Sequence, residues 1–181
     1  MASELQASVI QLSAATTLAT VAAVVRTAAR RITGAEGATF VLRDNGMCFY
    51  ADEDAIAPLW KGQRFPMAQC ISGWAMLNRQ PATVPDIERD ARIPSDVYRS
   101  TFVRSLVMVP IRRADPLGAI GAYWSTVREP AGEEIAALEQ LAEASADVID
   151  RLGMDSAPWA PNFAIWQSTS NRAPEVANGR P

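Results

Sequence analysis

The sequence predicts an α+β fold: one central antiparallel sheet, the terminal helices packed on one face, and a lid of loops and short helices on the other. Three observations carry this. Apolar residues recur at spacings of three and four at both ends of the chain, which is the period of a helix with one buried stripe. Two turn signals, Asp44-Asn45-Gly46 and Asp115-Pro116, each separate two strand-like runs, so the strands come as hairpins and the sheet is antiparallel. Between the hairpins lies a long mixed segment, 53–105, which must cover the sheet face that the helices leave open.

Taken in order, residues 3–33 read as helix with a break near Ser13 to Thr17. Leu18, Val21, Val25, Ala28 and Ile32 form a narrow seam in the second part, and Gly34 is a natural C-cap. "ATFVLRDNGMCFYAD" reads as a hairpin with strands through Phe40 and Leu42, then Cys48 and Tyr50. Residues 53–70 read as loop. Ser72 is placed to cap a short helix, "GWAMLNR", that stops before Pro81. "PATVPDI" is a short strand between two prolines, hence an edge. "PSDVYRSTF" reads as a helix capped by Ser95. Strands near 105–112 and 118–125 form the second hairpin. The last helix is expected to start at Pro130, which suits a first turn. Its seam is Ile135, Leu138, Ala142, Ser145, Ile149 and Leu152, and the pattern stops at Gly153. The expected organisation is a helical extension over 1–13, one domain over 14–153, and an extended Pro/Ser/Asn-rich tail over 154–181.

With 181 residues the chain has room for one domain with a real core. Its net charge of −3 gives no reason to expect nucleic acid or an anionic membrane. The N-terminus lacks a basic region followed by an apolar run, and no uninterrupted apolar stretch is long enough to span a bilayer, so the expected location is the cytoplasm. Both cysteines, Cys48 and Cys70, are then expected as reduced thiols. The chain has no His. That excludes a His-ligated haem, a His-containing zinc site, a His general base and a phospho-accepting His. No catalytic constellation and no metal-ligand spacing is present.

The segment "DIERDARIPSDVYRSTFVRSL" (86–106) is both charged and apolar, with Ile87, Ile93, Val97, Tyr98, Phe102 and Val103 at roughly helical spacing. An irregular lid of this kind leaves space beneath it, so the segment reads as the wall of a ligand pocket. Together with "ISGWAM", "QPATVPDI", "GAIGAYW" and "EEIAALEQLA", in this order, it resembles a GAF domain, and in particular the GAF domains of bacterial sensor histidine kinases. The resemblance spans residues 14 to 152. It implies a sheet of five to six strands, a ligand pocket walled by the insert, and dimerisation through the terminal helices. It also marks departures. Bilin-binding relatives use a Cys–His pair that a chain without His cannot form. The Asn-Lys-Phe-Asp-Glu pattern of cyclic-nucleotide-binding relatives is missing. Free methionine sulfoxide reductases of this fold need several cysteines around the pocket, whereas here Cys70 precedes a helix and Cys48 lies on a remote hairpin strand.

Trp60, Phe65, Cys70, Trp74, Tyr98 and Phe102 are the aromatic and soft residues of the lid. They either line a pocket, with Tyr98 and Ser105 as polar contacts, or simply seal the core. Asp86, Asp90, Arg92 and Arg104 either hold a charged ligand or pair at the surface, and the resemblance implies that the two aspartates fix the lid through backbone hydrogen bonds. Cys70, just before a helix N-terminus, is either a redox sensor or a small buried side chain. Leu18, Val21, Val25, Ile32, Leu138, Ile149 and Leu152 either pair with a second copy or face their own sheet.

The first expectation is a non-catalytic sensory domain. It binds an unidentified small molecule under the lid and signals through its terminal helices to a partner such as a histidine kinase. The second is a ligand-free interaction scaffold that docks through the tail, where Trp159, Phe163, Ile165 and Trp166 cluster. A thiol-dependent reductase is a remote third.

Overall fold

A computed structural model of the protein describes residues 1–153, and the expected tail with its aromatic cluster lies outside the described residues. Helices α1 (Ala2–Ser13) and α2 (Leu18–Thr33) are separated where the sequence predicts a break. Thr17 leaves the helical region there, and its hydroxyl accepts the Thr20 N–H at 3.1 Å, which starts α2. Gly34 closes α2 in the left-handed region, φ 61°. Strands β1 (Gly37–Asp44) and β2 (Met47–Ala55) follow. Asn45 and Gly46 both take positive φ, 49° and 79°, the requirement of a two-residue hairpin turn.

The insert carries β3 (Arg64–Pro66), a 3-10 turn (Met67–Gln69), α3 (Ile71–Asn78), β4 (Ala82–Val84) and a single helical turn, α4 (Ser95–Tyr98). The second hairpin is β5 (Ser105–Ile111) and β6 (Gly118–Trp124), and α5 (Gly132–Arg151) closes the domain. All neighbouring strands are antiparallel, in the order β3-β2-β1-β6-β5-β4. The expected edge strand is therefore an edge, flanked by Pro81 and Pro85.

Four local expectations are corrected. The 53–70 loop contains the end of β2, all of β3 and the 3-10 turn; three residues of Arg-Phe-Pro are too few to show alternation. Ser72 does not cap α3, because the helix starts two residues earlier, at Ile71 with Cys70 as its N-cap, and Ser72 is buried inside it. Ser95 does not cap α4 either; it is the first helical residue, and Pro94 precedes it without a side-chain bond. α5 begins at Gly132 rather than Pro130, fixed by the Glu134 carboxylate reaching back to the Ala131 N–H at 2.7 Å.

Strand alternation divides the interior into two cores. On the helix side, Phe40, Leu42, Val107, Val109 and Ile120 meet Val21, Val25 and Ile32 of α2 and Leu138, Leu141 and Ile149 of α5. On the lid side, Val41, Cys48, Tyr50, Leu106, Met108 and Tyr123 meet Trp60, Ile71, Met76 and Tyr98. The helical seams are thereby accounted for. Val21, Val25, Ile32, Leu138 and Ile149 are buried in the chain's own core, with Leu18 and Leu152 packed at its margin, so these side chains are not a surface for a second copy. The narrow look of the seams comes from alanines, which bury a stripe without adding to its apparent width.

Candidate functional site

The lid-side core is built around Trp60. The carboxylate of Glu53, at the end of β2, accepts the backbone N–H groups of Leu59, Trp60 and Lys61 at 2.8–2.9 Å. This folds the 59–61 loop over the sheet and drives Trp60 inward, where it is 3% exposed. The indole donates to the Val97 carbonyl at 3.3 Å. Its ring meets Tyr50, Tyr98 and Tyr123 edge-on, with centroids 4.7–5.5 Å apart. The phenols point at polar partners: Tyr123 Oη lies 2.8 Å from Thr39 Oγ1 and Tyr50 Oη 3.2 Å from Ser72 Oγ. Gly121 makes the first possible, because a Cβ there would overlap the Tyr123 hydroxyl. Burial pushes the pKa of Tyr50, Tyr98 and Tyr123 well above that of a free tyrosine, so the cluster is neutral.

A cleft of about 290 Å³ opens beside this cluster, between the start of α3 and the 91–94 segment of the lid. Gln69, Cys70, Trp74, Arg92 and Ile93 line it. Arg92 lies over the Trp74 ring, its guanidinium carbon 4.6 Å from the centroid. It also grips Asp90 through Nη2 at 2.5 Å and donates to the Thr83 carbonyl at 2.9 Å. That pairing holds the Asp90 carboxyl below its usual range.

At the floor of the cleft, Cys70 is the N-cap of α3, with the extended backbone (φ −138°, ψ 155°) such a position needs. Its sulfur lies 3.3 Å from Ser72 Oγ. The Cys48 thiol neighbours it in the same buried cluster. The expectation that Cys48 is remote is thus corrected: β3 folds back on β2, setting Cys48 opposite Phe65, and the 3-10 turn returns Cys70 to the same spot. Both thiols are free. The neighbouring Cys48 thiol, more than any other influence, pulls the Cys70 pKa down to about 7, and the same pairing with burial pushes Cys48 up.

Of the residues singled out in the sequence, Cys70, Trp74 and Arg92 meet at the cleft. Trp60 and Tyr98 lie in the aromatic cluster, and Phe65 joins it edge-on to Tyr50 at 5.5 Å. Phe102 packs over Gly37. Ser105 is fully buried and spends its hydroxyl on the Thr126 carbonyl at 2.8 Å. Asp86 and Asp90 accept the N–H groups of Glu88 and Arg92 at 3.0 and 2.9 Å, which fixes the lid backbone as expected. Arg104 faces outward to Glu88 at 3.4 Å. Asp86, Arg104 and Ser105 do not line the cleft. Tyr50, Ser72, Tyr123 and Glu53 were not among the expected site residues. Tyr50 and Tyr123 were readable as every-other-residue neighbours of Cys48 and Gly121, but nothing in the sequence marks Glu53.

Comparison with known proteins agrees with this architecture. A family model described as GAF domain matches residues 15–150. The free methionine-R-sulfoxide reductase from Neisseria meningitidis superposes with a TM-score of 0.71 at 18% identity, over 82% of this chain and 87% of that one. The GAF domain of an Acinetobacter phosphoenolpyruvate-protein phosphotransferase gives 0.72 at 12% identity, over 83% and 93%. The chromophore-binding domain of a bacteriophytochrome from R. palustris gives 0.70 at 18% identity, over 86% and 62%. At such identities these likenesses speak to the fold. No curated protein shows a significant sequence match to the chain. Among the described residues no helix is long and apolar enough to cross a membrane.

Proposed function

Because the chain belongs to the GAF domain family, we propose that it is a non-catalytic sensory domain that takes a small molecule at the lid cleft and passes the event to a signalling partner such as a histidine kinase. The observation that carries this reading is the cleft itself. About 290 Å³ of open space sits within the segment whose mixed composition calls for a pocket wall, and it is lined by an indole, a guanidinium, an amide and a thiol. Trp74 and Ile93 offer apolar contact; Gln69 offers orientation. Arg92 is already neutralised by Asp90, so it serves as a wall and a hydrogen-bond donor rather than a free cation. The output route is the sheet: α3 sits on β5 and β6, and α5 on their other face. Ligand binding shifts that arrangement only by its difference in affinity for two states.

Native mass spectrometry of the freshly purified chain against its denatured mass tests the proposal. An extra non-covalent mass, lost in Trp74→Ala, is the expected result. A bare mass, with no thermal stabilisation by any small molecule in a metabolite panel, would sink it. One observation favours the second reading, a scaffold without ligand: the space directly beneath the lid is occupied by Tyr50, Trp60, Tyr98 and Tyr123. On that reading no ligand response occurs, and a partner is lost when residues 157–181, outside the described residues, are deleted.

A further inference from the structure

We infer that Cys70 and Cys48 form an oxidisable thiol pair, in which a hydroperoxide entering the cleft oxidises Cys70 and Cys48 then closes a Cys48–Cys70 disulfide. Three features of the geometry carry this. The Cys70 sulfur lies on the wall of an open cleft, whereas Cys48 is sealed behind it, fully buried. Cys70 therefore meets the oxidant and Cys48 meets only Cys70. The two thiols are neighbours in the lid-side core, and the Ser72 hydroxyl lies 3.3 Å from the Cys70 sulfur and 3.2 Å from Tyr50 Oη. Finally, Cys70 stands at the N-cap position of α3 with its sulfur 3.3 Å from the Ser72 hydroxyl, surroundings that favour its negative charge. Such a sulfur is a thiolate for a substantial fraction of the time near neutral pH, and the thiolate is the nucleophile.

The chemistry balances with the peroxide as sole oxidant. The Cys70 thiolate attacks one peroxide oxygen; an S–O bond forms, the O–O bond breaks, and the departing alkoxide or hydroxide takes up a proton. The result is a sulfenic acid at Cys70 and an alcohol or water. The Cys48 sulfur, giving up its proton, then attacks the Cys70 sulfur; the S–S bond forms and the sulfenic oxygen leaves as water. Two electrons pass from the two sulfurs to the peroxide. The product ties β2 to the start of α3. The inference shares the cleft with the small-molecule reading but does not depend on it.

Intact mass spectrometry of the full chain, treated with hydrogen peroxide and then with dithiothreitol, tests it. The expected result is loss of the mass of two hydrogens, reversed by dithiothreitol, with peptide mapping to a Cys48–Cys70 link. Cys48→Ala should instead accumulate a sulfenic acid that dimedone traps at Cys70, and Cys70→Ser should leave Cys48 unmodified at the same dose. Circular dichroism of both variants shows whether they are folded. The inference is overturned if the folded wild-type chain gains only methionine oxygen, if its disulfides link separate chains, or if Cys48 reacts equally well in Cys70→Ser. Disulfide formation without ligand binding would leave this inference standing and the small-molecule reading fallen.

Discussion

Glu53 shows how much one carboxylate can organise. It is the shared acceptor for three consecutive N–H groups. Removing it by Glu53→Ala leaves those donors without a protein partner, at a cost of about 2 kcal/mol of folding stability. Urea unfolding followed by Trp fluorescence should show that loss, with emission shifted towards the wet indole because Trp60 is released. Unchanged stability would mean that the 59–61 loop is held by packing alone. The thiol pair makes a second prediction, in pH. Cys70 titrates near 7 in the folded chain against an ordinary 9.0, so its ionisation stabilises the fold fully above pH 9 and the benefit disappears as pH falls through 7. Cys48 is displaced in the opposite direction, so above 9.0 it holds a proton that the unfolded chain gives up, and stability declines. Stability should therefore climb from pH 7 to 9 and turn down beyond. Cys70→Ser should abolish the climb, and in Cys48→Ala the midpoint of Cys70 alkylation by iodoacetamide should move upward from about 7, since the neighbour that lowers it most is gone.

Helix α3 is the element where sequence and structure disagree most usefully. On helix propensity alone, Gly73→Ala should stabilise an eight-residue helix by about 1 kcal/mol. The structure demands the opposite: a Cβ at Gly73 would overlap the Met67 carbonyl, because the 3-10 turn passes directly over the helix. The expected outcome is a loss of about 2 kcal/mol or more, from forced separation of the two. A stabilised Gly73→Ala protein would show that the close approach is not made. The same element explains what the sequence could and could not reveal. Its apolar run and the following Pro81 announced a helix, and Asn45-Gly46 and Gly34 announced their turns, because those signals are chemical and local. Its start was misplaced because Ser72 is a better cap than Cys70 by residue type, and only the fold shows that Cys70 carries the extended backbone while Ser72 turns inward to Tyr50. β3 was hidden for a related reason: a three-residue strand is defined by its partner, β2, and not by its own pattern. The site was half legible. Trp60, Cys70, Trp74 and Tyr98 were found from their place in the lid, whereas the meeting of Cys48 with Cys70 follows from a chain reversal that no local signal encodes.

Across the whole molecule the sheet separates two kinds of interior. The helix face is overwhelmingly aliphatic, while every tyrosine of the chain, Tyr50, Tyr98 and Tyr123, lies on the lid face. The buried phenols lie on the lid side only, and the largely aliphatic helix face supplies stability. The sheet edges are poor sites for self-association, because β3 and β4 are three residues long and bordered by Pro66, Pro81 and Pro85. The helical layer is closed too, with Leu138 and Ile149 fully buried against the sheet. What it exposes is on α1, where Ile10 is 64% and Val9 36% accessible. A second copy therefore could not draw its affinity from the seams. Leu138→Ala and Ile149→Ala should each cost about 2–5 kcal/mol, as truncations in a core do. That cost should be the same at every protein concentration, because it belongs to the single chain. Ile10→Glu should leave urea stability within about 0.5 kcal/mol of wild type in dilute protein, as for surface changes generally, and sedimentation should report any lost association. If the Leu138→Ala penalty instead grew with concentration relative to wild type, the seam would be gaining its stability from a partner chain, and the assignment of the two faces would have to be reversed.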